Sequence, residues 1–175
     1  MKPTILLITI ILTLISPQIT AKVLDKAANG FTIEISIETD ASVETAYQQF
    51  LNVGDWWNSD HTWFGDAKKM YIEPSVNGCF CEIDGTKQAI HMTVSYVEPN
   101  KEIRMIGGLG PLQMMGVHGG MSWKFEALDN GMSKITHRYQ VTGYSKDGLD
   151  KLAEIVNQVQ TIQVNGLKQA LAEKS

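Results

Sequence analysis

The sequence predicts an α+β domain: a curved seven-stranded antiparallel sheet around a long C-terminal helix, with two short helices between strands 1 and 2. Three observations carry that prediction. Phe31-Thr32-Ile33-Glu34-Ile35-Ser36-Ile37-Glu38 alternates apolar and polar residues without a fault, the period of a half-buried strand. Between Met70 and Val141, short apolar stretches are cut by Asn77-Gly78, Asp84-Gly85, Pro99-Asn100 and Asp129-Asn130-Gly131, each a turn signal. From about Asp147 to Glu173, apolar residues recur at helical spacing.

Each element follows from its own residues. After the first strand, Asp40 or Ser42 offers a helix N-cap. Val43, Ala46, Tyr47, Phe50 and Leu51 then line one helical face, and Gly54 stops the helix. Asp55-Trp56-Trp57 reads as a second short helical turn. Strands follow at Met70 to Glu73, Cys79 to Ile83, Ala89 to Val97, Glu102 to Ile106, Gly120 to Leu128 and Ser133 to Val141. The last two are joined by Asp129-Asn130-Gly131, a hairpin signature. In the long helix, Leu149, Leu152, Val156, Val159, Ile162 or Gln163, Leu167 and Ala170 share a face, and Gly166 is a blemish costing about 1 kcal/mol against alanine. A large sheet closed over a single helix leaves a hollow between them, a place for ligands.

The chain has 175 residues, with 15 Lys+Arg against 19 Asp+Glu. That length suits one domain with a core of its own. The acidic balance supplies no basic field to attract phosphates, so nucleic acid is not an expected partner. Met1 to Ala21 reads as a secretory signal: Lys2, an apolar run from Ile5 to Ile15, then Ser16-Pro17-Gln18-Ile19-Thr20-Ala21 ending on a small residue. Cleavage after Ala21 leaves residues 22–175 as a single exported domain, periplasmic or extracellular. The alternative is an uncleaved anchor, but the run is short for ~30 Å of hydrocarbon, and no stable membrane insertion is expected after cleavage.

The element order, together with Asp55-Trp56-Trp57, Asp60-His61-Thr62, Gly78-Cys79-Phe80-Cys81-Glu82 and Gly107-Gly108-Leu109-Gly110-Pro111-Leu112, resembles the SRPBCC superfamily over about residues 30 to 172. This is the START-like, helix-grip group of polyketide cyclase/dehydrase and heat-shock ATPase-activator-like domains. The resemblance implies a helix-grip fold. It implies no single function, since lipid carriers, hormone receptors, aromatase/cyclases, oxygenase domains and co-chaperones share that architecture. No catalytic motif of the group matches position by position.

Strand parity supplies the candidate walls of the hollow. Met121, Trp123 and Phe125 share a face, as do Ile135, His137, Tyr139 and Val141, and Ile90, Met92, Val94 and Tyr96 form a third set. Arg104, between Ile103 and Met105, is a carboxylate anchor if it points inward and an ordinary surface charge if Met105 does. Trp56 and Trp57, as neighbours, must point differently: one into the core, one to the cavity rim. The ligand-binding candidates are therefore Trp56, Trp57, Met92, Tyr96, Arg104, Trp123, His137 and Tyr139. The glycine-rich run Gly107 to Gly120 reads as a pliant gate with methionine contacts; no Lys-Ser/Thr follows that would make it a phosphate loop.

Cys79 and Cys81 fall on one side of a strand, near the limit of the ~6.8 Å between Cα atoms that a disulfide tolerates, so two free thiols are expected. His91 on the next strand makes a metal site with them conceivable, but free cysteine packs well as a small hydrophobe, and no metal or other cofactor is expected. Paired carboxylates are missing from the predicted inner faces, and no nucleophilic triad has a spacing signal. The expected function is an exported binding protein for a small apolar or amphipathic molecule, its protein partner unnamed by the sequence. The alternative is a cavity enzyme of cyclase or lyase type with His137 or Tyr139 as acid/base.

Overall fold

The computed structural model describes residues 19–173. The expected signal segment therefore lies almost wholly outside the described residues. Eight strands form one antiparallel sheet: β1 (Thr20–Ala27), β2 (Gly30–Thr39), β3 (Met70–Ile72), β4 (Cys79–Asp84), β5 (Lys87–Glu98), β6 (Glu102–Ile106), β7 (His118–Ala127) and β8 (Ser133–Thr142). Their order is β1-β2-β8-β7-β6-β5-β4-β3, so every pair except β2 with β8 joins neighbours in sequence. Two helices complete the domain, α1 (Val43–Leu51) and α2 (Ala153–Ala172). The α+β helix-grip architecture stands as the sequence predicts, with one strand more.

The extra strand is β1. Its residues show no two-residue alternation, and most are exposed. Backbone pairing to β2 holds it at the sheet edge, from Thr20 opposite Ser36 to Ala27 opposite Gly30. Hydrophobic patterning cannot reveal a strand in which Val23 alone is partly buried against the core. The second short helix is also different: single 3₁₀ turns at Val53–Asp55, Ser59–His61 and Ala67–Lys69 replace it. Helix α1 begins as expected, with the Ser42 hydroxyl accepting the Thr45 N–H at 3.2 Å.

The concave face carries Ile33, Ile35 and Ile37 of β2, Ile103 and Met105 of β6, Trp123 and Phe125 of β7, and Ile135 and Tyr139 of β8, all buried. The C-terminal half of α2 lies on this face through Val164, Leu167 and Leu171, each fully buried. A leucine so buried contributes roughly 1.5–3 kcal/mol. Gly166 is no blemish: a Cβ there would lie 2.2 Å from the Trp56 carbonyl oxygen, so the glycine lets α2 touch the turn that carries Trp56 and Trp57. The N-terminal half of α2 stands off the sheet, and the space beneath it is the cavity.

Strand β5 departs from simple parity. Its pairing with β4 shifts between Phe80 and Cys81, where Phe80 faces Met92 but Cys81 faces Ile90, and its pairing with β6 shifts between Val94 and Tyr96. His91 is the extra residue of the first bulge. His91, Met92 and Val94 are therefore all buried, while Ile90 (55% exposed) and Tyr96 (36% exposed) lie on the outside. The expected set Ile90, Met92, Val94 and Tyr96 is broken at both ends.

Cys79 and Cys81 form a disulfide, which corrects the expectation of two free thiols. Their Cα atoms are 5.4 Å apart, shorter than an unbroken extended strand allows. The pair straddles the interruption in the β4–β5 ladder, where β4 is released from regular pairing and can contract. The sulfurs are bonded to each other, and the Tyr71 hydroxyl lies 3.3 Å from Cys79 Sγ. His91 turns away from them to the other face of the sheet, so the conceivable thiolate–imidazole set is not assembled.

Candidate functional site

A cavity of about 460 Å³ lies between the sheet, the N-terminal half of α2 and the 107–119 connection. Leu152, just before α2, and Val156 and Val159 of α2 form one wall. Leu109, Pro111, Leu112 and Met115 form the roof, and Trp57, Trp63 and Tyr139 close the floor and side. The polar groups among these walls are few: Asp60, His61, Thr62, His91 and Gln160. Such a lining takes an apolar body and orients it by a small number of hydrogen bonds.

The sequence-level candidates divide three ways. Trp57 and Tyr139 line the cavity. Trp56, Met92, Trp123 and His137 are buried in the core beside it: Trp56 packs on Phe50 and Trp123, and Met92 is fully enclosed. Tyr96 and Arg104 lie on the opposite, outer face and are no part of the cavity. Because Met105 points inward, Arg104 points outward, where its guanidinium holds Glu102 in a bidentate pair at 2.8 Å and covers the Tyr96 ring at 4.4 Å. Against the expectation of one core and one rim residue, both indoles are buried, with ring centroids 5.6 Å apart, and only Trp57 lines the cavity. Trp57 Nε1 donates to the His61 carbonyl at 3.1 Å and so fixes the turn that brings Asp60, His61 and Thr62 to the cavity.

His137 and Tyr139 are not placed as an acid/base pair. Burial lowers the His137 pKa to about 3, and although Gln160 favours the charged ring, neither ring nitrogen meets a hydrogen-bond partner. Tyr139 uses both of its hydrogen-bonding capacities on the glycine-rich connection: its hydroxyl accepts the Leu109 N–H at 3.0 Å and donates to the Gly107 carbonyl at 3.2 Å. Burial raises its pKa to about 12. The connection is therefore anchored at its root by Tyr139, and Gly119 is required because a Cβ there would lie 2.5 Å from the Tyr139 ring. Gln113 pins the roof from the other side by donating to the Ile90 and His91 carbonyls. Met115 faces the cavity, while Met114 projects into solvent.

The sequence reading missed the group with the most organised chemistry. Glu82 is wholly buried, and each carboxylate oxygen accepts a backbone N–H: Oε1 from Phe64 at 2.7 Å, Oε2 from Trp63 at 2.8 Å. His91, 3% exposed, brings Nε2 to 3.2 Å from the same Oε2 and stacks on Phe80 at 5.0 Å. Burial lowers the His91 pKa, against the opposing pull of Glu82. The signal was present: once Phe80 is taken as inward, Glu82 shares its face.

A long C-terminal helix gripped by a curved antiparallel sheet over an apolar cavity defines a helix-grip domain. No protein-family model matches the chain, and no curated protein does. Solved structures do match in fold. An uncharacterized protein from Rhizobium leguminosarum superposes with a TM-score of 0.56 at 17% identity, covering 89% of this chain and 99% of that one. StfQ, a di-domain ARO/CYC from the steffimycin biosynthetic pathway, matches with a TM-score of 0.55 at 13% identity over 84% of this chain, which spans 52% of StfQ. Ara h 8.0201 matches with a TM-score of 0.55 at 12% identity, covering 82% of this chain and 99% of that one. Among the described residues, no helix is long and apolar enough to cross a membrane.

Proposed function

We propose that the chain is an exported member of the SRPBCC superfamily that holds a small apolar or amphipathic molecule in the cavity under α2. The cavity itself carries the reading. A space of about 460 Å³ walled by leucine, valine, proline, methionine and tryptophan, open to solvent beside Trp63 and Ile155, offers an apolar surface that a guest would cover. The fold shared with an ARO/CYC protein of the steffimycin biosynthetic pathway supports a small-molecule reading. Export is supported by the signal pattern of residues 1–21 and by the Cys79–Cys81 disulfide, since such bonds persist in oxidising compartments. Cleavage after Ala21 would remove two residue pairs from the edge strand β1 and leave the rest of the sheet paired. The acidic charge balance supports a partner other than nucleic acid.

Uptake of N-phenyl-1-naphthylamine, followed by its fluorescence and by thermal unfolding, tests the reading. The native protein should bind the probe and gain about 2.7 kcal/mol at a hundred times the dissociation constant. Val156→Trp projects bulk from α2 into the cavity and should abolish uptake while the fold persists. A native protein that takes up no probe, and a Val156→Trp variant that unfolds, would show a filled core with no guest.

A further inference from the structure

We infer that His91 is the recognition group of the cavity, its Nδ1 lone pair accepting a hydrogen bond from a hydroxyl or N–H donor on an otherwise apolar guest. The inference rests on the cavity reading above and narrows its ligand to molecules that carry such a donor.

The hydrogen-bond network around Glu82 fixes the tautomer. Both carboxylate oxygens already accept backbone N–H groups, from Trp63 and Phe64, and a carboxylate has only acceptors to offer. The bond between His91 Nε2 and Glu82 Oε2 is therefore donated by the ring. With the hydrogen on Nε2, the neutral imidazole keeps its lone pair on Nδ1. Among the described residues, Nδ1 has no hydrogen-bond partner, yet it is not one of the sealed, unpaired polar atoms. The ring lines the cavity, so the open acceptor faces the space a guest would fill.

The other polar groups of the wall differ in place or in kind: Asp60 is exposed to solvent, and the Thr62 hydroxyl is held by donating to the Ser59 carbonyl at 2.8 Å. Gln163 has its amide orientation set by the Asn58 N–H, which it accepts at 2.9 Å, and by the Val159 carbonyl. Its Nε2 consequently donates to His61 Nδ1 at 2.6 Å, which leaves His61 with its hydrogen on Nε2, a donor. Gln160 Oε1 is unpaired but sealed from the cavity. An apolar guest with a hydroxyl thus meets an oriented acceptor at His91, held in register by the buried carboxylate behind it, the arrangement by which a carboxylate fixes a histidine's tautomer and ring plane. A guest that caps the same position with a methyl ether would leave the acceptor unpaired and desolvated.

Two probes of one shape, 2-naphthol and 2-methoxynaphthalene, separate the possibilities. The native protein should bind 2-naphthol about ten-fold or more tightly than the ether, since a buried site built for a hydroxyl rejects the analogue that lacks it. In ¹⁵N-labelled protein, the His91 ring should show hydrogen on Nε2, and its Nδ1 resonance should move on adding 2-naphthol but not the ether. His91→Phe should lose the preference while still binding the ether. Equal affinity of the native protein for both probes, hydrogen found on Nδ1, or an unmoved Nδ1 resonance would each overturn the assignment and leave the cavity reading intact. Binding of neither probe would overturn the cavity reading itself. If His91→Phe fails to fold, the affinity ratio and the ring resonances of the native protein decide alone.

Discussion

The His137 imidazole lies over the Trp123 indole, with ring centroids 4.3 Å apart and planes 32° from parallel, and neither of its nitrogens is hydrogen-bonded. The fold therefore accepts this ring only as a neutral, nearly apolar slab. Its pKa falls from 6.5 to about 3, by burial. An unfolded chain takes up the proton below pH 6.5 and the folded one does not until about pH 3, so stability is full above the first value and declines with acid between the two. Complete protonation across that window costs up to about 5 kcal/mol, and the lowered pKa of His91 acts in the same direction. Denaturant titrations from pH 7 to pH 4 should show this decline. His137→Leu should flatten it, and an unchanged slope in the variant would refute the assignment.

Thiol titration of the unfolded, unreduced protein should count no free group, and two after reduction, as the Cys79–Cys81 bond requires. A loop this short gains little from closure in the unfolded chain, so Cys79→Ser/Cys81→Ser should cost less than the 2–4 kcal/mol typical of longer-range bridges. Two free thiols in the unreduced protein would contradict the structure.

Gly166→Ala should destabilise the fold despite alanine's higher helix propensity. The new Cβ would meet the Trp56 carbonyl at 2.2 Å, and backbone cannot yield as a side-chain tip does. A loss of roughly 1–3 kcal/mol is expected from overpacking of this kind, read by chemical denaturation. Any gain in stability would mean that α2 does not touch the tryptophan turn.

Met92→Trp offers a contrast to Val156→Trp. A sequence-level view of Met92 as a cavity wall makes the larger ring a filler of empty space. The residue is instead fully enclosed in the core, so the substitution should overpack it and cost roughly 1–3 kcal/mol without blocking probe uptake.

Tyr139→Phe should loosen the roof of the cavity. It leaves the Leu109 N–H and the Gly107 carbonyl without their partner, a loss of roughly 1–3 kcal/mol. Hydrogen exchange should accelerate across residues 107–119 and stay unchanged in β2. Exchange that rises evenly over the sheet would show that the hydroxyl is not a local clamp.

The sheet and the long helix were legible because their residues obey one period each: Ile33, Ile35 and Ile37 alternate, and Val164, Leu167 and Leu171 recur at helical spacing. What defeated the reading were breaks in period. The bulge at His91 turns two consecutive residues inward and expels Ile90, a second break between Val94 and Tyr96 expels Tyr96, and no composition announces either. Strand β1 is held by backbone pairing, with Val23 alone partly buried. Glu82 was hidden by its residue type: a carboxylate is expected in water, and the two backbone N–H groups of a turn eighteen residues earlier, together with the His91 ring, make its burial tolerable. Of the candidate site, the tryptophan turn and the glycine-rich roof could be read from sequence. The polar end could not, since it depends on the register of β4 against β5 and on where a 3₁₀ turn folds back.

The pairing of β2 with β8 has a consequence for how the molecule comes into being. Phe31 pairs with Val141, and well over half of the chain lies between them. As the polypeptide emerges from the ribosome, β1 and β2 can form a local hairpin, but a two-stranded ribbon alone is marginal. Its isoleucine face stays uncovered until β8 and then α2 have been synthesised. Closure of so distant a contact is slow, whereas β3 to β7 pair only with their neighbours in sequence and can assemble before β8 is made. The topology thus sets the timing: the last two elements made are the ones that commit the first.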